Sequence, residues 1–389
     1  MMAKARQAGA SGALTQPIQP AVRQTSATTS RPPAGADPLP GAAERSTNNG
    51  GAQLEPHAVP DAWTQACRRA RLHVITGKGG TGKTTVAAAL AIALATNGRR
   101  VLLVEVEERQ GIARLFDVPP LPYEERRVAI ATGGGEVKAL AVDVEQALLE
   151  YFEIFYNLGF AGRSLKRLGA VEFATTLAPG LRDVLLTGKV KETVTRRGTD
   201  NRPVYDDVVM DAPPTGRVAT FLGVTEAMSD LAKRGPIHRQ AEGVVRLLHS
   251  PDTIVHLVTL LEDMPVTETL EAVQHLREAD LPVGTIIVNA ATEPRLSATD
   301  LDLAAGGNLD IEALSAQLKA TGITTDATLL EGLATEASEH AVRVLDEAAC
   351  RDALTATGIP LLSLPRLVDG GDLGGVYELA DRLLDQGIS

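Results

Sequence analysis

The sequence predicts an α/β protein with a doubly wound, mostly parallel sheet and helices on both of its faces. Short apolar runs recur along the chain, and segments with helical periodicity separate them, which is the pattern of buried parallel strands joined by crossover helices. One such strand leads through a glycine-rich loop into an alanine-rich helix. Because ligands bind at the carboxyl ends of parallel strands, we expect the functional residues to gather there.

The apolar runs predict the strands in chain order. "RLHVIT" is the first strand, and the helix "TVAAALAIALATNG" follows its glycine-rich loop. The later strands are "RRVLLVEVE", "DDVVMDAPP", "TIVHLVTLL", "VGTIIVNAA" and "GIPLLSLP", and the helix "GVYELADRLLDQ" ends the pattern. Right-handed crossovers between these strands would place helices on both faces of the sheet.

The 389 residues divide into a low-complexity tail at 1–68 and a folded domain at 69–389. The tail is rich in Ala, Pro, Gly, Ser and Thr without apolar periodicity, so we expect it to be disordered. Helical insertions are expected at about 140–200 and 223–250, where strand patterns are missing. The aromatic-rich segment "LLEYFEIFYNLGF" of the first insertion either packs into the core or forms a partner surface.

Composition excludes several classes of function. A net charge of -11 argues against a nucleic-acid partner, because neutralising phosphates requires clustered lysine and arginine. The two cysteines, Cys67 and Cys350, lie far apart and fit neither a disulfide framework nor a zinc site. No stretch approaches the roughly 18 apolar residues of a membrane span, so we expect a cytoplasmic protein that is at most peripheral at the inner face of the membrane.

The glycine-rich loop "GKGGTGKT", residues 77–84, fits the phosphate-binding pattern GxxxxGK[ST] between a strand and a helix. Its backbone N–H groups and the helix dipole would bind the α- and β-phosphates of ATP. We expect Lys83 at the β,γ-phosphates and the Thr84 hydroxyl on Mg²⁺. The predicted cofactors are therefore ATP and Mg²⁺. The predicted nucleotide-binding residues of the loop are Gly79, Gly80, Thr81, Gly82, Lys83, Thr84 and Thr85.

Lys78 is a second lysine in a loop that needs only one. A cation at this position lies on the outer lip of the loop, from which it can reach a nucleotide held by a facing subunit. It would then supply in trans the charge that an arginine finger supplies elsewhere. Lys78 therefore predicts a dimer closed around ATP, and the alternative is a solvated lysine at the loop edge.

"GKGGTGKTT" resembles the deviant loop of the signature-lysine P-loop ATPases, and "DAPPTGRVATFL" is similar to switch II of their arsenical-pump and tail-anchored-protein-targeting branch. "APGLRDVL", "VTLLEDMPVTETLEAVQHL" and "GTIIVNAA" also resemble segments of that branch. The resemblance extends from Leu72 to the C-terminus. It implies a P-loop NTPase fold with an inserted helical subdomain, Mg-dependent ATP hydrolysis, a homodimer or a heterodimer with a related subunit, and a membrane-protein partner.

The resemblance also implies roles for individual residues. Asp211 matches the switch II aspartate that holds Mg²⁺ through water, Asn289 matches an asparagine beside the adenine, and Pro365 lies where the last strand leads into a loop over the base. In place of the aspartate that positions the attacking water stands Glu107, and Glu105 lies on the same strand face, near the metal. The expected catalytic residues are Lys78, Lys83, Glu107 and Asp211, and the expected metal-binding residues are Thr84, Asp211 and Glu105.

Two departures from the family leave the biological use open. Arg217 replaces the switch II histidine, and the metalloid- or zinc-binding cysteines of the relatives have no counterpart. The chain is therefore expected to energise a membrane partner such as an anion transporter, to target hydrophobic membrane-protein segments as a chaperone, or to act as an ATP-binding switch without hydrolysis.

Overall fold

A computed structural model of the protein describes residues 61–107, 109–156, 180–223, 236–367 and 372–388. Its strands form one sheet in the order β3-β4-β2-β5-β1-β6-β7-β8. Neighbouring strands are parallel except for the antiparallel pair β3 and β4. The strands are β1 Leu72–Gly77, β2 Arg100–Glu105, β3 Arg126–Ile130, β4 Glu136–Ala141, β5 Asp207–Asp211, β6 Thr253–Thr259, β7 Val283–Ala291 and β8 Leu361–Pro365.

Helices cover both faces of this sheet, which confirms the predicted doubly wound α/β architecture. The face with α2 and α12 also carries α3, and the opposite face carries α4 to α8. The helices are α1 Asp61–Arg69, α2 Lys83–Ala95, α3 Gly111–Leu115, α4 Val144–Tyr156, α5 Leu181–Thr195, α6 Thr215–Leu222, α7 Pro236–Leu248, α8 Asp263–Glu278, α9 Ala298–Ala305, α10 Ile311–Ala320, α11 Ala327–Thr355 and α12 Leu373–Asp385.

Helix α2 is buried along almost its whole length between the sheet and α12. Its alanines explain this position, because small side chains let a helix lie close to a sheet and to a second helix at once. Its first residue, Lys83, directly follows the glycine-rich loop. The packing of α2 therefore determines where the loop opens.

The sequence patterns missed the hairpin β3–β4 and the helices between β7 and β8. The hairpin surrounds "GGG" at 133–135. Helices α9 to α11 are amphipathic only weakly and bury few side chains, so apolar periodicity did not reveal them. Helix α1 occupies residues assigned to the tail, and its Cys67 is buried in the core. Disorder is thus the wrong description for 61–68.

Helices α4, α5 and α7 fall within the two predicted helical insertions, although 157–179 and 224–235 lie outside the described residues. For part of the aromatic segment, the structure decides between core packing and a partner surface. Leu148 and Tyr151 are buried in the core, and Phe152 packs against it. The Phe155 and Tyr156 side chains and Phe160 lie outside the described part. For Tyr151, core packing is the observed role.

Two histidines on neighbouring central strands share a hydrogen bond inside the sheet. His73 Nδ1 lies 3.2 Å from His256 Nε2, both side chains are fully buried, and the rings stack. His73 Nε2 lies 3.8 Å from a carboxylate oxygen of Asp207, which Arg99 also contacts at 2.6 Å. Burial, together with the neighbouring His73, lowers the pKa of His256 well below its ordinary value.

This depressed pKa predicts acid destabilisation. As pH falls from about 7 to about 5, the unfolded chain binds a proton at His256 and the folded chain does not, so the free energy of unfolding decreases by up to about 1.4 kcal/mol per pH unit. His256→Asn should show a flatter pH dependence in urea titrations, whatever its stability at neutral pH. The exposed control His275→Asn should follow the wild type. Equal slopes for wild type and His256→Asn would contradict the assignment.

Candidate functional site

The loop that joins β1 to α2 depends on close backbone approaches to two neighbouring strands. A Cβ atom at Gly77 would lie 2.1 Å from the carbonyl oxygen of Val258 on β6. At Gly82, which has φ 86°, a Cβ atom would lie 2.3 Å from the Asn289 amide nitrogen on β7. A larger residue at Gly77 would push the loop away from β6, and one at Gly82 would strain the left-handed backbone and displace the Asn289 side chain.

Hydrogen bonds then hold the loop in shape. The Thr81 hydroxyl and the Lys83 ammonium both donate to the carbonyl oxygen of Lys78, at 2.9 Å and 3.1 Å. The Asn289 side chain donates to the carbonyl oxygen of Thr81 at 2.9 Å. Asn289, predicted beside the adenine, therefore also supports the loop itself, and its adenine role stays a prediction.

The remaining nucleotide-binding candidates lie around this loop. Gly79 and Gly80 are exposed at its tip, and Thr85 is half-buried in the first turn of α2. Pro365 ends β8 and pairs with Ala291 at the end of β7, so the structure brings it to the same strand ends as Asn289.

Asp211 and Thr84 form the shortest polar contact of the site, with the Thr84 hydroxyl donating to Asp211 Oδ2 at 2.6 Å. Asp211 ends β5 beside β1, which brings it to the start of α2. Burial raises the pKa of Asp211 to about 6, and the nearby carboxylates of Glu105 and Glu107 act in the same direction. The Thr84 hydrogen bond and the Lys83 ammonium oppose this rise.

Lys83 is the buried cation of the site, with 8% of its surface exposed. Burial lowers the pKa of Lys83, while Asp211 and Glu107 counteract the decrease. The carboxylates of Asp211, Glu105 and Glu107 thus lie near two cations, Lys83 and Arg109, which leaves one excess negative charge. A bound cation would neutralise that excess.

The oxygen donors at this point fit Mg²⁺. A threonine hydroxyl and an aspartate carboxylate that already touch are hard donors of the type that Mg²⁺ prefers. Across the described ranges, no group of three His, Cys, Asp or Glu side chains forms a metal cage. Mg²⁺ does not need one, because it keeps several waters and takes further oxygens from substrate phosphates.

The contacts of Glu105 differ from the metal contact that was predicted for it. Its carboxylate accepts hydrogen bonds from the backbone N–H groups of Gly111 and Ile112, at 3.0 Å and 3.4 Å, at the start of α3. The side chain is buried, with 3% of its surface exposed. Glu105 therefore fixes α3 to the end of β2 and contributes its charge to the site from there.

Glu107, the predicted water-positioning residue, lines a polar cavity of about 240 Å³ between β2 and the switch segment after β5. Arg109 lies 3.3 Å from its carboxylate, and Arg217 lies 3.9 Å from Asp183. The hydroxyl of Thr76 donates to the carbonyl oxygen of Pro213 at 2.7 Å and anchors the switch segment to β1. The sequence analysis missed Arg109, although it stands only two residues after Glu107.

Lys78 does not extend freely from the loop. Its ammonium forms an ion pair with Glu268 on α8 at 2.7 Å, with 27% of the Lys78 side chain and 36% of the Glu268 side chain exposed. The sequence analysis missed Glu268 because it lies far from Lys78 in the sequence.

Residues 70–251 match the sequence model of the anion-transporting ATPase family. ATPase BagA of Mycobacterium tuberculosis is 55% identical over 342 residues, which cover 88% of this chain and 98% of that protein. The chain belongs to the anion-transporting ATPase family. An arsenical pump-driving ATPase of Acidiphilium multivorum is 26% identical over 66% of this chain and 46% of its own length. ATPase GET3 of Kluyveromyces lactis is 25% identical over 55% of this chain and 70% of its own length.

Membership confirms the family that the loop and the switch II motif indicated, and it supports an ATP-dependent activity at the level of the family. The structure adds the arrangement of Lys83, Thr84 and Asp211 at the carboxyl ends of β1 and β5. Among the helices that the structure describes, none is long and apolar enough to cross a membrane.

The raised pKa of Asp211 predicts a stability gain on neutralisation. In nucleotide-free protein without Mg²⁺, Asp211→Asn should raise the free energy of unfolding at about pH 8 by about 2 to 3 kcal/mol, because the buried charge disappears while the acceptor for Thr84 remains. The gain should shrink as pH falls through about 6 and vanish below about pH 3, where the aspartate is protonated in both states.

Denaturant titrations across this pH range measure the difference. Asp381→Asn, on the exposed side of α12, is the matched control and should leave stability unchanged at every pH. A variant at Asp211 that is less stable than wild type at pH 8 would show that the carboxylate is not a buried, unfavourable charge.

Proposed function

We propose that the chain is a Mg-dependent ATPase that closes as a dimer around ATP. The observation that carries the proposal is the contact between Thr84 and Asp211 beside the buried ammonium of Lys83, at the mouth of a glycine loop in which Gly77 and Gly82 have no free space for a side chain. The loop N–H groups and Lys83 would bind the phosphates, and Thr84 and Asp211 would hold Mg²⁺. When bound, Mg²⁺ would neutralise charge on the β,γ-phosphate oxygens.

Hydrolysis needs a residue that orients the attacking water, and we assign this role to Glu107. Its carboxylate accepts a hydrogen bond from water and takes up the proton that the water loses as its oxygen bonds to the γ-phosphorus and ADP departs. Glu107 faces a polar cavity that is roomy enough for water, and Arg109 lies 3.3 Å from one of its carboxylate oxygens.

The dimer follows from the position of Lys78. Its side chain stands at the lip of the loop, partly exposed, while Lys83 occupies the interior. A second subunit facing this lip would receive the Lys78 ammonium at its own nucleotide. The chain covers 46% of the arsenical pump-driving relative, so pairing with itself or with a related subunit would supply the second half.

A membrane-protein partner at the inner face of the membrane is the biological use that we favour, such as an anion transporter that the ATPase energises. The family description supports this use. A targeting chaperone for hydrophobic segments is the second candidate, because most exposed large apolar side chains of the described part lie on the segment from α9 to α11. They are Leu303, Ile311, Ile323, Leu329, Val342 and Leu345.

Two substitutions separate nucleotide binding from hydrolysis. Lys83→Ala should abolish ATP binding, because the loop loses the cation that faces the phosphates. Glu107→Gln should keep ATP binding and lose about 10²- to 10⁴-fold in kcat, because the water loses its proton acceptor. Nucleotide titrations and a phosphate-release assay measure the two effects.

Glu124→Gln is the control for Glu107→Gln, because Glu124 lies in the same connection and is 77% exposed. It should hydrolyse ATP at the wild-type rate. Full activity of Glu107→Gln would remove the assigned role, and a wild-type rate no higher than that of Lys83→Ala would identify a switch without hydrolysis.

The exchange of Lys78 between subunits predicts complementation. Lys78→Ala and Lys83→Ala should each be inactive alone, since every pocket lacks one of the two lysines. Mixed dimers contain one pocket with its own Lys83 and the partner's Lys78, so an equimolar mixture should recover about a quarter of wild-type activity. A mixture as inactive as its components would contradict sharing in trans, provided that subunit exchange is verified by mass measurement.

A further inference from the structure

We propose that Glu268 is a positioning residue that retains Lys78 within its own subunit until a nucleotide-loaded partner arrives. This inference rests on the proposed ATP-dependent dimer and adds a residue that controls its assembly. The ion pair between Lys78 and Glu268, at 2.7 Å, occupies the ammonium that the partner's nucleotide would otherwise receive. Dimer closure then requires Lys78 to exchange one carboxylate for the phosphates across the interface.

The loop allows such an exchange without unfolding. The carbonyl oxygen of Lys78 accepts hydrogen bonds from Thr81 and Lys83, so its backbone is fixed on the subunit's own loop. Only the four-carbon side chain has to swing, and lysine is long and flexible enough for this movement. The exchange is therefore a rotamer change rather than a rearrangement of the phosphate-binding loop.

Glu268, in contrast, lies on helix α8, which does not move with the Lys78 side chain. Helix α8 buries Val266, Thr269 and Val273 on either side of Glu268, and the Thr269 hydroxyl donates to the carbonyl oxygen of Pro265 at 2.7 Å. The carboxylate is thus presented from a fixed helix toward the lip of the loop. This geometry holds Lys78 over its own subunit.

The strength of the pair suits a reversible contact. Ion pairs with partly exposed side chains contribute little free energy and are weakened by salt. The phosphate oxygens of a partner's Mg²⁺-bound ATP bind the Lys78 ammonium more strongly than the single Glu268 carboxylate does. A partner without nucleotide offers Lys78 no comparable anion. Glu268 therefore raises the threshold for dimerisation and makes it depend on nucleotide in the facing pocket.

Glu268→Gln tests this role in the full-length chain with ATP and Mg²⁺. Removing the carboxylate should lower the dimer dissociation constant about two- to five-fold in sedimentation or light-scattering measurements at low salt, and less at high salt. Glu271→Gln, an exposed residue of the same helix, is the matched control and should behave as wild type. In a Lys78→Ala background, Glu268→Gln should have no effect on assembly, because the competing cation is missing.

A second measurement reports the ion pair in the monomer. Lys78 of the nucleotide-free protein should react faster with an amine-acetylating reagent in Glu268→Gln than in wild type or Glu271→Gln, as followed by peptide mass spectrometry. An unchanged labelling rate would overturn the proposal because the pair would not exist in solution. If Lys78 is labelled faster in Glu268→Gln but this variant dimerises no more strongly than wild type, the proposed role of Glu268 would be refuted, since the ion pair would not compete with dimer assembly. A wild-type chain that stays monomeric with ATP would instead refute the proposed dimer, whatever the labelling result.

Discussion

The arrangement around Asp211 is the constraint on which the rest of the site depends. The Asp211 carboxylate is buried next to two other acidic side chains, and the cations Lys83 and Arg109 balance only part of the negative charge. Removing this charge would stabilise the fold, and retaining it keeps a place ready for a divalent cation. The strain is electrostatic, and the short contact with Thr84 keeps the carboxylate where a cation would need it.

The sheet order explains why these groups meet. Strand β1 lies between β5 and β6, so its loop can touch a carboxylate from one neighbour and a carbonyl group from the other. Gly77 brings the loop close to the backbone of β6, and Gly82 brings it close to the Asn289 side chain of β7, which donates a hydrogen bond to the loop backbone. The outer side chain, Lys78, remains the movable part of a rigid loop. Lys78 can therefore move from Glu268 to the nucleotide of a facing subunit while the loop itself stays in place.

Glu107, the candidate for positioning the water, is not a free carboxylate, because arginines lie around it. Glu107 lies in a polar cavity with Arg109 from the connection after β2 and Arg217 from the switch segment, and Arg109 contacts it directly. Arg217 lies 3.9 Å from Asp183 in the same cavity. Movement of the switch segment on nucleotide binding would therefore change the charges around Glu107.

Local patterns in the sequence determined the strand, glycine loop and helix that bind phosphate, because those residues are neighbours in the chain and share one geometric requirement. The same holds for the buried strands, whose apolar runs are continuous, and for Asp211, which directly ends one of them. The hairpin β3–β4 and the helices α9 to α11 escaped prediction, since weakly amphipathic segments carry little periodic signal. Only the tertiary structure decided that Glu105 caps α3, that Asn289 holds the loop and that Glu268 holds Lys78. Each of these contacts depends on chain packing or on strand order, and residue identity alone specifies neither.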